Sequence, residues 1–178
     1  SPQANGEKLE IMVSIPPQKY FTQRIGGDKT NVYVMVGPGM DPHTYEPTPA
    51  QMKSLSQAQL YFSIGVEFED VWLPRFQDAN PKLKFVDSSA GVERIAMATN
   101  ENQTGELDPH IWLSSTNVRI IAKNIADALC QSDPQNSALY QNNLKLFLAD
   151  IDKVDKDIHT VLDPLTNRKF ITLHPAWG

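Results

Sequence analysis

The sequence predicts an α/β fold: a parallel sheet with helices on both faces, followed by a long linking helix. Three observations carry this. Four apolar runs of strand length, at residues 9–15, 31–36, 60–64 and 84–87, are rich in β-branched and aromatic residues. Segments of helical period separate them, and strands alternating with helices build parallel sheets. Finally, an apolar stripe at helical spacing runs from Leu144 to Val161, longer than one small layered domain needs.

Taken in order, the first strand is 9–15, and Pro16-Pro17 ends it. A helix over 18–25 places Tyr20, Phe21 and Ile25 on one face, and Gly26-Gly27-Asp28 stops it. The second strand, 31–36, passes through Gly37-Pro38-Gly39 into the loop Asp41-Pro42-His43-Thr44-Tyr45-Glu46-Pro47-Thr48-Pro49. Prolines stiffen that loop by fixing φ near −65°. Thr48 supplies an N-cap and Pro49 the first turn of a helix to Gln57. The third strand, 60–64, is closed by Gly65, and a helix from Phe68 to Phe76 follows. The cluster Tyr61, Phe62, Phe68, Trp72 and Phe76 is expected in the core. After the fourth strand, 84–87, residues 99–106 read as a polar exposed loop.

Ser114-Ser115-Thr116 then cap a helix to Leu129, with Val118, Ile121, Ala122, Ile125 and Leu129 as its stripe. Ser132-Asp133-Pro134 breaks it. The long helix, 136–162, carries Leu144, Phe147, Leu148, Ile151, Val154, Ile158 and Val161 on one side. It would span roughly 40 Å at 1.5 Å per residue, the reach of a strut joining two lobes. Asp163-Pro164 ends it, and 170–173 reads as a strand with His174 at its carboxyl end.

Composition sets the broad class. Of 178 residues, 40% are hydrophobic and 21% charged, enough for a sizeable core. A net charge of −5 argues against a nucleic-acid partner and is compatible with attracting a cation. No run approaches the ~20 apolar residues of a membrane helix. The opening Ser1-Pro2-Gln3-Ala4-Asn5-Gly6 is polar, so either no signal peptide existed or a mature form is seen. The single Cys130 excludes an internal disulfide and a Cys-rich zinc site, and reads as a buried inert thiol.

Three of the four histidines, His43, His110 and His174, stand beside prolines, and Asp-Pro-His occurs twice, at 41–43 and 108–110. In open α/β sheets ligands bind beyond the carboxyl ends of strands, where His43 and His174 fall. Three imidazoles suit zinc, copper or nickel, whereas calcium and magnesium want oxygen. A carboxylate or water would be the fourth ligand. Asp41, Glu46 and Asp108 are candidates to hold the imidazoles by hydrogen bond. The plainer reading is that a His beside Pro is a satisfied loop residue, and that Asp41 and Asp108 are loop or cap residues. His159, four after Asp155 on the long helix, reads as an i,i+4 partner rather than a ligand.

The loop at 41–49 resembles the first metal-ligand loop of the periplasmic solute-binding proteins of zinc and manganese ABC transporters. Residues 60–69, Asp108-Pro109-His110-Ile111-Trp112-Leu113 and 170–178 match that family in the same order, over nearly the whole chain. The resemblance implies that His43, His110 and His174 are the metal ligands. The third ligand is typically His in zinc members and Glu in manganese members, so His174 favours Zn²⁺. It also implies a second α/β lobe carrying a fourth, carboxylate ligand. The expected organisation is therefore a metal-binding lobe at 1–134, a linking helix at 135–163, and the first strand of a truncated lobe at 164–178. Many zinc members carry a His-rich loop before the second ligand, and residues 99–106 hold no histidine, which speaks against such a loop here.

The function expected from this resemblance is binding, not catalysis: periplasmic capture of Zn²⁺ and delivery to the membrane permease of an ABC importer. A manganese-binding member is the alternative. A His₃-zinc hydrolytic or hydratase enzyme with Glu46 as base is the competing class, without an H-E-x-x-H helix to support it. An adhesin reading finds no separate adhesive module. A strand at 170–173 without its sheet would present unpaired edges, so self-association or a mobile C-terminus is expected.

Overall fold

The computed structural model describes residues 7–37, 40, 45–96, 107–167, 169 and 171. Its strands β1 (Leu9–Val13), β2 (Thr30–Val34), β3 (Leu60–Ser63) and β4 (Lys84–Asp87) pair entirely in parallel, in the order β2-β1-β3-β4. Leu9 lies opposite Thr30 across β1 and β2, Ile11 opposite Leu60 across β1 and β3, and Leu60 opposite Lys84 across β3 and β4. From Ile11 on, β1 is apolar on both faces because both are covered, as a central parallel strand requires. The chain steps to one side of β1 for β2 and to the other for β3. The switch point of the sheet therefore lies at the carboxyl ends of β1 and β3, where open α/β sheets form their crevice.

Helices α1 (Pro16–Gly26), α2 (Pro49–Gln57), α3 (Glu67–Ala79), α4 (Ser115–Ser132) and α5 (Ser137–Leu162) cover both faces. Pro16 and Pro17 begin α1 rather than only ending the strand. At the first helical positions their missing N–H groups have no intrahelical partner to lose. α3 runs three residues past Phe76 despite Pro74 inside it. Pro74 is on the exposed side, where water replaces the bond it removes, and Glu67, Glu69 and Asp70 favour the helix N-terminus.

Two apolar layers flank the sheet. Leu9, Ile11, Val13, Leu60 and Phe62 pack beneath α1, α4 and α5, while Met12 and Tyr61 face Leu55, Phe68 and Phe76 of α2 and α3. The aromatic cluster is core, but it is split: strand alternation sends Phe62 to the opposite face from Tyr61. Cys130 is half-buried rather than buried, with Sγ 3.8 Å from the Ser137 carbonyl.

α5 is docked along its first half only. Tyr140, Leu144, Phe147 and Ile151 are buried against α1 and α4. Val154, Ile158 and Val161, which continue the same stripe, are 54%, 48% and 66% exposed. Arg24 of α1 reaches Asp150 at 2.5 Å and lies over the Phe147 ring, and Arg119 of α4 bonds Asp152 and Asp155 at 2.7 Å each. These partly exposed pairs fix direction more than they stabilise. His159 shares its hydrogen bond with Asp163, at 3.3 Å, one turn on rather than one turn back at Asp155. The expected loop at 99–106 lies outside the described residues, as do Phe170, Thr172 and Leu173 of the expected last strand. The single described residue of that strand, Ile171, is 99% exposed.

The two halves of α5 should therefore respond differently to truncation. Phe147→Ala should cost about 3–5 kcal/mol, the usual figure for a core aromatic, while Ile158→Ala should stay within about 0.5 kcal/mol. Urea unfolding of both variants of this chain checks the contrast.

Candidate metal centre

Both ends of the first histidine segment are fastened to the sheet. Beyond β2, Met35 N donates to Val13 O and Val36 N to Ser14 O, each at 2.9 Å, so pairing with β1 continues up to Gly37. At the far end Tyr45 is buried, its ring edge-on to Phe68 with centroids 5.4 Å apart. The Tyr45 hydroxyl donates to Gln51 Oε1. Gln51 Nε2 donates to Val34 O at 3.0 Å and Met35 O at 2.7 Å, and Thr48 Oγ1 caps α2 by accepting from Gln51 N. Gln51 thus ties the helix start back to the strand end. His43 and Asp41 lie outside the described residues, and Glu46 is exposed.

The second histidine is held closely. Ala96 and Leu107 form an antiparallel bridge, and Asp108 N donates to Ile95 O at 2.8 Å. Asp108 is buried and turns its carboxylate onto the residue two ahead: Oδ1 accepts from His110 N at 2.9 Å and lies 2.7 Å from His110 Nδ1. A carboxylate has only acceptors, so Nδ1 carries the ring proton and the lone pair resides on Nε2. That is the arrangement a carboxylate gives a metal-ligating imidazole. A 3₁₀ turn, Ile111–Leu113, then leads to Ser114, whose hydroxyl caps α4, and the Trp112 ring stands 5.3 Å from the imidazole. Asp108, His110, Glu93, Ser114 and Asn117 border an open cavity of about 680 Å³.

Sequence reasoning missed a buried polar cluster at the switch point. Ser14, Gln18, Ser88 and Glu69 are all buried there. Glu69 Oε1 accepts from Ser14 Oγ at 2.5 Å and from Ile64 N at 2.8 Å, and Oε2 accepts from Gly65 N at 2.7 Å. The Tyr61 hydroxyl lies 2.7 Å from Ser14 Oγ. Gln18 accepts from Ser14 N and Ile15 N and donates to Phe62 O and Ser88 Oγ. Burial pushes the Glu69 carboxyl above the usual carboxylate range, against the pull of its three donors. The available signal was a polar residue ending an otherwise apolar strand, Ser14, and an acid beside the aromatic Phe68.

Of the three histidines singled out from sequence, only His110 lies within the described residues; His174 is outside them, like His43. Among the described residues no three His, Cys, Asp or Glu side chains gather in a group able to hold a metal ion. The structure brings together Asp108 and His110.

The fold and this site define an α/β lobe with a carboxylate-oriented histidine at the carboxyl rim of its sheet. A family model described as "Zinc-uptake complex component A periplasmic", ZnuA, matches residues 11–178. The manganese ABC transporter substrate-binding lipoprotein PsaA of Streptococcus anginosus is 36% identical over 159 residues, 86% of this chain and 51% of the relative. The iron ABC transporter substrate-binding lipoprotein MtsA of Streptococcus pyogenes serotype M1 is 33% identical, over 93% of this chain and 55% of the relative. Among solved structures, a zinc-bound ZnuA deletion mutant superposes with a TM-score of 0.87 at 43% identity, over 96% of this chain and 65% of that one. The chain belongs to the ZnuA family of zinc and manganese solute-binding proteins, and matches their N-terminal part. It spans about half the length of the curated relatives it matches. These relatives are substrate-binding proteins of ABC transporters, not enzymes, which removes the hydrolytic reading with Glu46 as base.

The Asp108 contact makes a direct prediction about the ring. Nitrogen-15 NMR of the metal-free chain should find His110 protonated at Nδ1, and Asp108→Leu should return it to a mixture of tautomers.

Proposed function

We propose that this chain is the metal-capturing part of an extracytoplasmic solute-binding protein that collects Zn²⁺ for an ABC importer, with His43, His110 and His174 as ligands. The observation that carries the reading is the buried Asp108 carboxylate 2.7 Å from His110 Nδ1. Structural histidines on loops have no need of a buried acid fixing their tautomer, whereas ligating ones regularly have one. Asp41 would act likewise on His43, and Glu46, being exposed, is the weaker candidate of the three acids. The organisation we propose is a lobe at 1–134, a linking helix at 135–163 and the start of a second lobe at 164–178. A periplasmic location is supported by the family's description, and delivery to a membrane permease is the role an ABC transporter substrate-binding protein would have.

Zinc is favoured over manganese by donor chemistry. Imidazole suits zinc, whereas manganese prefers carboxylate and other oxygen ligands, and the residue at 174 is histidine. The 43% identity to a zinc-bound structure points the same way. The manganese and iron names of relatives at 33–36% identity support the second reading. Calorimetric titration of this chain with Zn²⁺ and Mn²⁺ discriminates them: tighter zinc binding, lost in His43→Ala and His110→Ala, is expected. Tighter manganese binding, or zinc binding unaffected by both substitutions, would refute the assignment.

The uncovered stripe of Val154, Ile158 and Val161 is the surface through which we expect this chain to self-associate. Sedimentation velocity should show concentration-dependent dimers that Ile158→Lys abolishes; a monomer at all concentrations contradicts this.

A further inference from the structure

We propose that Glu69 is a positioning residue of the metal site, joining the two segments that carry its histidines. This rests on the reading above of His110 as a ligand. Glu69 lies on neither segment, and the resemblance over 60–69 gave it no role, yet contacts run from its carboxylate to both.

One arm begins at Oε1. It accepts from Ser14 Oγ at 2.5 Å, and Ser14 in turn accepts Val36 N on its carbonyl at 2.9 Å. Val36 is the last residue before Gly37, so this bond sets where the first histidine segment leaves the sheet. The ring of Phe68, the residue before Glu69, supports Tyr45 at that segment's other end.

The other arm begins with the Ile64 and Gly65 amides, held by Oε1 and Oε2 at 2.8 and 2.7 Å. Fixing these two amides turns the Ile64 carbonyl toward Arg94, whose Nη2 donates to it at 2.5 Å. Gly65 is at φ +77°, and a Cβ there would come within 2.3 Å of Arg94 Nη2. Glycine therefore serves both the turn and the close approach of the guanidinium. Arg94 precedes Ile95, whose carbonyl accepts Asp108 N at 2.8 Å, and Asp108 orients His110.

A carboxylate suits this junction for a reason a neutral side chain cannot meet. Its three hydrogen bonds among the described residues all come from donors. Glutamine offers one oxygen and a pair of N–H donors, so one donor would be left facing another. Charge-assisted bonds in a buried place are also stronger than neutral ones. A support of this kind acts on metal affinity through the ligands' geometry, and its loss typically costs 10–100-fold.

The test is Zn²⁺ affinity of this chain, by competition with a chromophoric chelator, and the absorption spectrum of the Co²⁺-loaded chain, which reports ligand geometry. Glu69→Gln should weaken zinc binding by about ten-fold and shift the cobalt bands. Ser14→Ala and Arg94→Gln, each cutting one arm, should weaken it by smaller factors. They remain informative if Glu69→Gln does not fold. Phe76→Leu, a core change on the same face, serves as the control: it should lower the unfolding temperature and leave affinity and spectrum unchanged. If Ser14→Ala, Arg94→Gln and Glu69→Gln only lower the unfolding temperature, like Phe76→Leu, while His110→Ala abolishes binding, the Glu69 assignment is overturned and the site stands. If His110→Ala binds zinc as the parent chain does, the site itself falls, and this assignment with it.

Discussion

The structure depends on how a buried acid is satisfied where the two central strands end. Parallel strands that stop inside a covered sheet leave amides and carbonyls pointing into a crevice, and each unpaired group there carries a penalty. Here Gln18 and Glu69 take up those groups. Gln18 bridges the end of β1 to Phe62 of β3 and to Ser88, and Glu69 takes the next two amides along. A buried ionised carboxylate is costly in itself and persists only when donors surround it. The three donors around Glu69 offset part of that cost, and in doing so they tie the end of β1 to the turn that follows β3.

The same economy explains the uneven covering of α5. Its first half completes the core beneath α1 and α4, with Tyr140 donating its hydroxyl to the buried Asp133 at 2.6 Å. Its second half carries the same apolar period past the edge of the lobe, with nothing among the described residues packed over it. A helix held firmly at one end and patterned for burial at the other is built to carry a packing direction beyond the domain that anchors it. The ion pairs of Arg24 and Arg119 lie where the docked half gives way to the uncovered half, and they set the angle at which the helix leaves.

Much of the fold was legible because it rests on period. Residues 60–64 and 84–87 are short apolar runs followed by turn residues, and Thr48-Pro49 is a helix start by local chemistry alone; the structure shows Thr48 capping through Gln51. The Pro16-Pro17 pair was misread as a stop only, since a proline pair after a strand also fits the first turn of a helix. The end of α3 was misjudged because residues 77–79 are exposed and add nothing to the apolar stripe that marks the helix. Of the candidate site, the Asp108 and His110 pairing was legible because the two are only two residues apart in sequence. Glu69 was not, because its partners at 14, 64 and 65 meet only when β1 and β3 pair. Nothing local distinguishes a glutamate in the first turn of a helix from an ordinary favourable charge at a helix N-terminus.

What decides the metal is separable from what decides the fold. Relatives whose names specify manganese and iron share a third of this sequence, and a zinc-bound ZnuA structure shares 43%. Proteins of one family thus carry names for several cations, so the fold by itself does not set the preference. A scaffold common to all of them can only fix how well its own donors are aimed; on the proposed assignment, Asp108 would do this for His110 whichever divalent ion arrives. Preference must enter with the donors that vary, by exchanging a neutral nitrogen for an anionic oxygen and so changing both the softness and the charge of the set. In this chain such an exchange would fall at residue 174, beyond the far end of the half-covered helix. The lobe would then supply the aim and the region past α5 the choice.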